Sequence, residues 1–197
     1  MNAIHEAYLD DGFQAITSLS RAVASGARLP DVGPLFWVVL RQMVPCDAMA
    51  LFVPDAARAT IAVGYAAGAH SGLLAGVTRP AGSGIAGWVA VNRHSVVNAE
   101  PIFDFGFRVS GRSALRSSVV VPLVDNGEVV AVLALYSKQL LAFTDAHVAT
   151  LELLAQRLAL ALTPKVAATR AVGPAAAGRS RLRLLPVPVA DGADHRS

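Results

Sequence analysis

Two adjacent segments, residues 117–124 and 128–136, constrain the fold more than any other part of the chain. Asp125-Asn126-Gly127 joins them, and an Asn-Gly pair readily adopts the positive φ angles of a tight β-hairpin. The second segment is apolar on both of its faces, whereas an antiparallel strand with one solvent-facing side alternates apolar and polar residues. The sequence therefore predicts a hairpin at the centre of a sheet that is covered on both sides.

Helical periodicity and short apolar runs predict the elements around this hairpin. Helices are predicted at residues 32–44, 85–92 and 144–162, and strands at 48–53, 60–65, 77–79 and 96–98. The two longer helices carry enough apolar side chains to cover one face of the sheet. The connections within residues 67–116 are left to cover the other face, where a small-molecule cavity can form under loops and one short helix.

The chain divides into three parts by pattern and composition. Residues 1–27 contain a predicted amphipathic helix at 3–24, whose apolar positions are Leu9, Phe13, Ile16, Leu19 and Val23. Residues 28–163 form the main domain. Residues 164–197 combine Ala, Gly, Pro and Arg without periodicity, and Pro164 follows the last predicted helix, so this part is predicted to be a disordered basic tail.

Charge and cysteine content exclude several classes of protein. Residues 1–163 carry a net charge of −1 and residues 164–197 one of +4, so the main domain has no excess of basic residues and no nucleic-acid partner is expected. No apolar run reaches 18 residues, so no membrane span is expected. The N-terminus does not resemble a signal peptide, and the single cysteine, Cys46, forms no internal disulfide; both favour a cytoplasmic protein.

Several short segments, taken in order, carry a resemblance to a known family. They are residues 45–51 at the first strand, 82–89 at the short helix, 117–123 with 127–133 in the central hairpin, and 143–145 at the start of the last helix. In this order and at these intervals, residues 28–163 resemble a GAF domain. The resemblance implies an α+β fold with a central antiparallel sheet of five or six strands, helices on one face and a loop-covered ligand pocket on the other.

The resemblance also implies a role. GAF domains of this kind are non-catalytic sensory or regulatory domains in signal transduction, which bind a small molecule and signal through their terminal helices. The helices predicted at 3–24 and 144–162 can pair across a two-fold axis in a homodimer. The alternative is a ligand-free dimerisation or protein-interaction module, which includes the remnant of a longer sensor protein such as a GAF-containing diguanylate cyclase or histidine kinase.

An enzymatic role is not expected from these residues. Free methionine sulfoxide reductases resemble a lone GAF domain but need paired cysteines, and a single cysteine cannot form the resolving disulfide. Cys46 also lies at the start of the first strand, which is the wrong place for the bilin attachment of phytochrome-like members. The sequence contains no recognisable nucleophile–base pair or metal-binding cluster, and it specifies no cofactor.

The loop before the central hairpin has the residues best suited to contact a ligand. Phe103, Phe105 and Phe107 alternate around Asp104, so the rings could stack on a flat ligand while Asp104 or Arg116 binds its polar edge. The alternative is that the rings cap the core beneath a loop that carries no ligand. The candidate pocket residues are Trp88, Phe103, Asp104, Phe105, Phe107, Arg112, Arg116 and Ser118.

Other motifs in this region also have two interpretations. Arginines recur every four residues up to Arg112 and Arg116, which suits either an anionic ligand or a solvated face. Trp88 suits either core packing or a pocket wall. Gly82-x-Gly84-x-x-Gly87 matches the spacing of a dinucleotide-binding loop, but no βαβ unit surrounds it, so these glycines are interpreted as positions of positive φ and close packing.

Overall fold

A computed structural model describes residues 29–105 and 115–171, which form five helices and six strands. The helices are α1 (Leu29–Met43), α2 (Ser71–Leu74), α3 (Gly84–Asn92), α4 (Ile102–Phe105) and α5 (Asp145–Ala171). The strands are β1 (Ala48–Asp55), β2 (Thr60–Gly68), β3 (Thr78–Pro80), β4 (Val96–Ala99), β5 (Ser117–Asp125) and β6 (Glu128–Ser137). The predicted helix at 3–24, the tail beyond residue 171, Phe107 and Arg112 lie outside the described residues.

The six strands form one antiparallel sheet in the order β3-β2-β1-β6-β5-β4. This sheet, with helices packed on it, confirms the predicted α+β fold. The hairpin of β5 and β6 turns at Asn126 and Gly127, whose φ angles are 49° and 78°, as the turn sequence predicts. The prediction of a hairpin near the middle of the sheet is therefore also confirmed.

Strand β6 alternates between the two faces of the sheet, except at its start. Val132 and Ala134 face one side, and Leu133 faces the other. A bulge opposite Leu123 and Val124 inserts one extra residue, so Val129 and Val130 lie on the faces opposite to those that strict alternation predicts. The face of a β6 residue can be read from the sequence only beyond this bulge.

Helices α1 and α5 cover one face of the sheet and form the helix-side core. Its largest contributions from the helices come from Phe36, Leu40, Leu151, Leu154 and Leu158, all buried. Thr144 caps α5 as predicted: its hydroxyl oxygen accepts a hydrogen bond of 3.4 Å from the amide of His147. The predicted packing of two amphipathic helices on the sheet agrees with this layer.

Both long helices extend beyond their predicted limits. Helix α5 continues to Ala171, so the prediction that this helix ends at Leu162 is wrong, and the disorder of the tail stays a prediction. Pro164 removes one helical hydrogen bond, at a cost of about 3 kcal/mol, but the alanines around it are the strongest helix formers. Helix α1 begins at Leu29 rather than at residue 32, because Pro30 is well suited to a first turn.

The opposite face of the sheet carries a second apolar layer, here called the opposite core. Small side chains form its floor at the sheet centre: Ala48 and Ala50 of β1 and Ala134 of β6, all fully buried. Helices α2, α3 and α4 supply the side chains above this floor, with Leu74, Ile85, Val89 and Phe105 among them. This is the face on which the sequence predicts a ligand pocket.

Candidate functional site

The centre of the opposite core contains one fully buried carboxylate, that of Asp104 on α4. One oxygen, Oδ1, accepts a hydrogen bond of 2.9 Å from the backbone amide of Ala86, in the first turn of α3, and the amide of Ile85 also donates to the carboxylate. The other oxygen, Oδ2, accepts a hydrogen bond of 3.0 Å from the hydroxyl of Tyr136. The first amides of a helix lack helical partners and carry partial positive charge, so they favour a carboxylate at this place.

Helix α3 takes its cap from this distant residue because its own N-cap does not supply one. Ser83 precedes the helix in an extended conformation and makes no side-chain capping bond. The next residue, Gly84, has a φ angle of +70°, and an ideal Cβ there would lie 2.7 Å from the carbonyl oxygen of Phe103. Glycine at this position allows both the left-handed backbone and the close approach of α4. Gly82 has a φ angle of +85°, which also confirms the prediction that the glycines of this loop adopt positive φ angles.

Arg79 of β3 holds α4 from a second side. Its guanidinium donates hydrogen bonds to the backbone carbonyls of Asp104 and, at 3.4 Å, Phe103. The Nε atom of Arg79 is buried and has no hydrogen-bond partner. The charge of Arg79 also lies near enough to Asp104 to favour the ionised carboxylate.

Burial dominates the electrostatics of this cluster. Desolvation raises the pKa of Asp104 above its ordinary value, although the amide of Ala86, the hydroxyl of Tyr136 and the charge of Arg79 act in the opposite direction. Burial and the neighbouring carboxylate raise the pKa of Tyr136 well above its ordinary value. The Tyr136 hydroxyl therefore stays protonated at neutral pH and remains a hydrogen-bond donor.

The ring of Phe105 completes the cluster. It packs edge to face against the ring of Tyr136, with a distance of 5.0 Å between centroids and an angle of 67° between planes. Phe105 is buried beside Asp104 in the opposite core. Two neighbouring residues of α4 thus place an acid group and a ring on the face where the sequence predicts a ligand.

The other predicted site residues lie apart from this cluster. Trp88, Phe103 and Arg116 are exposed. The hydroxyl of Ser118 is buried and donates a hydrogen bond of 2.9 Å to the carbonyl of Ala99. This bond lies beside the bulge in the β4–β5 pairing. Phe107 and Arg112 lie outside the described residues. Of the eight candidates, the structure brings Asp104 and Phe105 together.

Three contributors to the cluster carry no signal in the local sequence that predicts their role. The alternation of β6 places Tyr136 on the same face of the sheet as Ala134, but it does not indicate the hydrogen bond to Asp104. The glycine spacing predicts a positive φ at Gly84, but it does not indicate that α4 approaches this residue. Arg79 is an isolated charge on a three-residue strand, and no local pattern marks it.

Two further features bear on the chemistry available to the chain. Within residues 29–105 and 115–171, no group of three or more His, Cys, Asp or Glu side chains is arranged to hold a metal ion. Burial, and then the neighbouring Asp47 carboxylate, raise the pKa of the Cys46 thiol to about 12, so this thiol is protonated at neutral pH. In the same part of the chain, no helix combines the length and the apolar character needed to cross a membrane.

Comparison with protein families finds one match. The model of the GAF domain matches residues 30–163, which is most of the chain and includes all six strands. No curated protein matches the chain.

Solved structures with the same fold include a domain of a phosphotransferase, a sulfoxide reductase and part of a chemotaxis protein. The GAF domain of an Acinetobacter phosphoenolpyruvate-protein phosphotransferase is 18% identical, with a TM-score of 0.63 over 82% of this chain and 95% of that chain. The free methionine-R-sulfoxide reductase of Neisseria meningitidis, in complex with its substrate, is 20% identical, with a TM-score of 0.62 over 80% and 91%. A methyl-accepting chemotaxis protein, residues 122 to 287, is 21% identical, with a TM-score of 0.58 over 77% and 98%. At these identities the likeness extends to the fold alone.

Proposed function

The chain belongs to the GAF domain family, and from this premise we propose that it is a non-catalytic regulatory domain in signal transduction that acts as a homodimer through its helical face. The observation that carries the proposal is the outer surface of α5. Leu153 and Leu160 are 66% and 67% exposed, although they belong to a helix whose other side is buried in the helix-side core.

The spacing of these leucines supports a helix as the partner. They are seven residues apart, which is two helical turns and the repeat of a coiled-coil seam. They lie on the side of α5 opposite to Leu151, Leu158 and Leu162, which pack on the sheet. Leu153 and Leu160 thus form an exposed ridge on α5. Their side chains are not needed for the core of their own domain, so their apolar character suits an intermolecular contact.

The neighbouring helix adds to the same surface. Leu35 and Val38 of α1 are 44% and 51% exposed, on a helix that packs on the same face of the sheet and contacts α5. Single exposed apolar residues are common, but here four of them lie on two helices that contact each other on the same face of the sheet. A second copy offers the same surface, so a two-fold axis along α5 would bury the ridge of both copies.

The non-catalytic part of the proposal is supported by Cys46. Free methionine sulfoxide reductases are among the similar structures, and their reaction needs paired cysteines to form the resolving disulfide. This chain has one cysteine, and its thiol is held in the unreactive protonated form. The same property makes Cys46 a poor nucleophile for other covalent chemistry.

The test is the mass of the full-length protein in solution, measured by light scattering with size-exclusion chromatography. We expect two copies for the wild type, and a dissociation constant at least about 100-fold higher when Leu153→Glu and Leu160→Glu are combined, because two ridge positions then carry charge. Leu140→Glu with Leu141→Glu is the matched control, since both leucines are exposed in the loop before α5. A monomeric wild type, or equal effects of the two double variants, would overturn the proposal.

A second candidate function is the sensing of a small molecule on the opposite face. The observation in its favour is the cluster of Asp104 and Phe105 above the alanine floor, because a buried carboxylate whose pKa is raised by its surroundings is a common feature of functional sites. A ligand that binds there would displace these side chains. Because both belong to α4, this helix would move and pass the signal to the sheet.

Native mass spectrometry tests this candidate directly. The protein is purified from its own host and measured before and after denaturation. A reproducible added mass that leaves on denaturation is expected for a sensor. A spectrum with the mass of the polypeptide alone, over repeated preparations, would remove this candidate and leave the homodimer proposal unaffected.

A further inference from the structure

Strand β4 lies at one edge of the sheet and, in sequence, between two helices of the opposite face. Residues 93–95 connect it to the end of α3, and residues 100–101 connect it to the start of α4. In the strand order β4 stands last and pairs with β5, so fewer ladder hydrogen bonds hold it than hold a central strand. Because both connections are short, a displacement of α3 or α4 acts on β4 directly.

A bulge in β4 turns one polar side chain out of the regular alternation. Val97 pairs with Val119 and Ala99 with Ser118, so Asn98 is the extra residue, and its φ angle is 54°. Asparagine adopts this left-handed conformation more readily than most residues other than glycine, and a bulge commonly re-aims a side chain. The side chain of Asn98 reaches the segment that precedes α5, on the helix-covered side of the sheet.

The side-chain amide of Asn98 makes two hydrogen bonds to the backbone of one residue, Phe143. Its Nδ2 donates to the carbonyl oxygen of Phe143 at 2.7 Å, and its Oδ1 accepts a hydrogen bond of 3.0 Å from the amide of Phe143. Phe143 is buried in the helix-side core, and the next residue, Thr144, caps α5. Asn98 therefore fixes the backbone at the point where α5 begins.

A second link joins the connection before β4 to the body of α5. The hydroxyl of Ser95 donates a hydrogen bond of 2.6 Å to Oε1 of Glu152. Glu152 directly precedes Leu153, the first residue of the exposed ridge on α5. Residues 95–98 thus hold α5 at its start and again about two turns further along.

We propose that residues 95–99 couple the two faces of the sheet: a displacement of α3 or α4 moves β4, and the side chains of Ser95 and Asn98 pass this displacement to α5. The inference rests on the proposed regulatory function, for which it supplies the route from the opposite face to the ridge of Leu153 and Leu160. Contiguous hydrogen bonds and packed elements of this kind carry coupling between distant sites.

Hydrogen exchange of the full-length protein, followed by mass spectrometry, tests the coupling without a ligand. Gly84→Ala perturbs the opposite face, because its Cβ would meet the carbonyl oxygen of Phe103 at 2.7 Å. Gly82→Ala is the matched control, since a Cβ there meets nothing within 4 Å. Each substitution is made in the wild type and in a background with Ser95→Ala and Asn98→Gly. Glycine at position 98 retains the positive φ angle and removes the side-chain amide.

The readout is the exchange of amides in residues 145–155 of α5. Helix α1 is the internal reference, because it packs on the same face of the sheet. In the wild-type background we expect Gly84→Ala to accelerate exchange in α5 at least about fivefold relative to Gly82→Ala, with a change below about twofold in α1. In the background without the two side chains, the difference between the glycine variants should fall below about twofold in α5 as well.

Three results would overturn the inference: no acceleration in α5, equal acceleration in α5 and α1, or an acceleration in α5 that persists without the two side chains. Tyr136→Phe, compared with Tyr65→Phe, replaces the glycine pair if Gly84→Ala does not fold, because it removes one hydrogen bond from the opposite core and adds no atom. The exchange is measured within each chain. A monomeric wild type would therefore overturn the proposed homodimer and leave this comparison valid.

Discussion

The hydroxyl of Tyr136 donates a hydrogen bond of 3.0 Å to the buried carboxylate of Asp104, which lies 32 residues earlier in the chain. This bond joins the central strand β6 to the single turn of α4. The same carboxylate caps α3 through the amide of Ala86. One acidic side chain thus fixes two helices above the sheet, and its partners can be removed one at a time.

Replacement of Tyr136 by phenylalanine should lower the free energy of unfolding by about 1.5–3 kcal/mol, since a buried charged group loses a hydrogen-bond donor. Urea unfolding followed by circular dichroism measures the change. Tyr65→Phe is the control, because this tyrosine lies on β2 and is only half-buried; we expect a loss below about 0.5 kcal/mol. Equal losses in the two variants would show that the bond to Asp104 contributes nothing measurable.

The stability contributed by Asp104 should depend on pH in the direction opposite to that of a surface carboxylate. Burial raises its pKa in the folded protein, so the folded state binds the proton more tightly than the unfolded chain does. Stability from this group is therefore fully present below the ordinary pKa of an aspartate and is lost as the pH rises through the raised value.

The measurement compares the wild type with Asp104→Asn in urea unfolding at several pH values between about 4 and 7. We expect the wild type to lose stability relative to the variant as the pH increases, with Arg79 and Tyr136 retained in both proteins. A difference between the two proteins that stays constant, or that changes in the opposite direction, would contradict the raised pKa.

Gly84→Ala should destabilise the protein more than Gly82→Ala. Both glycines have positive φ angles, so both substitutions carry a backbone cost of about 1–2 kcal/mol. A Cβ at position 84 would also meet the carbonyl oxygen of Phe103 at 2.7 Å, whereas a Cβ at position 82 meets nothing within 4 Å. We expect an additional loss of about 1–3 kcal/mol for Gly84→Ala, measured by thermal and urea unfolding. Equal losses would mean that α4 moves freely away from α3.

Cys46 should react slowly with thiol reagents in the folded protein. Its pKa of about 12, against an ordinary value of 9.0, lowers the thiolate fraction near pH 8 by about three orders of magnitude. The rate of reaction with a disulfide reagent is measured in buffer and in 8 M urea, after correction for the effect of urea on a model thiol. A native rate within about tenfold of the unfolded rate would show that the thiol is not shielded.

The sequence was sufficient to predict most of the strands and helices because their signals are local. An Asn-Gly turn, a strand apolar on both faces and amphipathic helices each follow from neighbouring residues, and they predict the hairpin at 117–136 and the helices on one face. The same reasoning failed where a local rule was outweighed by its surroundings. Pro164 predicts the end of a helix, but the alanines around it allow the helix to continue to Ala171.

The candidate site was predicted only in part, because its contacts connect residues far apart in the chain. The pattern around Asp104 and Phe105 drew attention to α4 and predicted an acid group beside rings. Nothing in the local sequence indicated that Asp104 would cap α3 or bond to Tyr136, or that Arg79 would hold the carbonyls of α4. Such pairings depend on the order of strands in the sheet, which a single sequence does not specify.

The distant cap of α3 has a consequence for the order of folding. A helix capped by its own preceding residue can form before the rest of the protein, but the first turn of α3 depends on a carboxylate 18 residues later. That carboxylate in turn depends on a tyrosine of the central strand. Contacts between residues far apart in the chain must overcome the entropy of loop closure, so they form more slowly than contacts between neighbouring residues. The first turn of α3 and the whole of α4 should therefore be among the last parts to fold, and their amides should exchange with solvent together, ahead of those of the central hairpin.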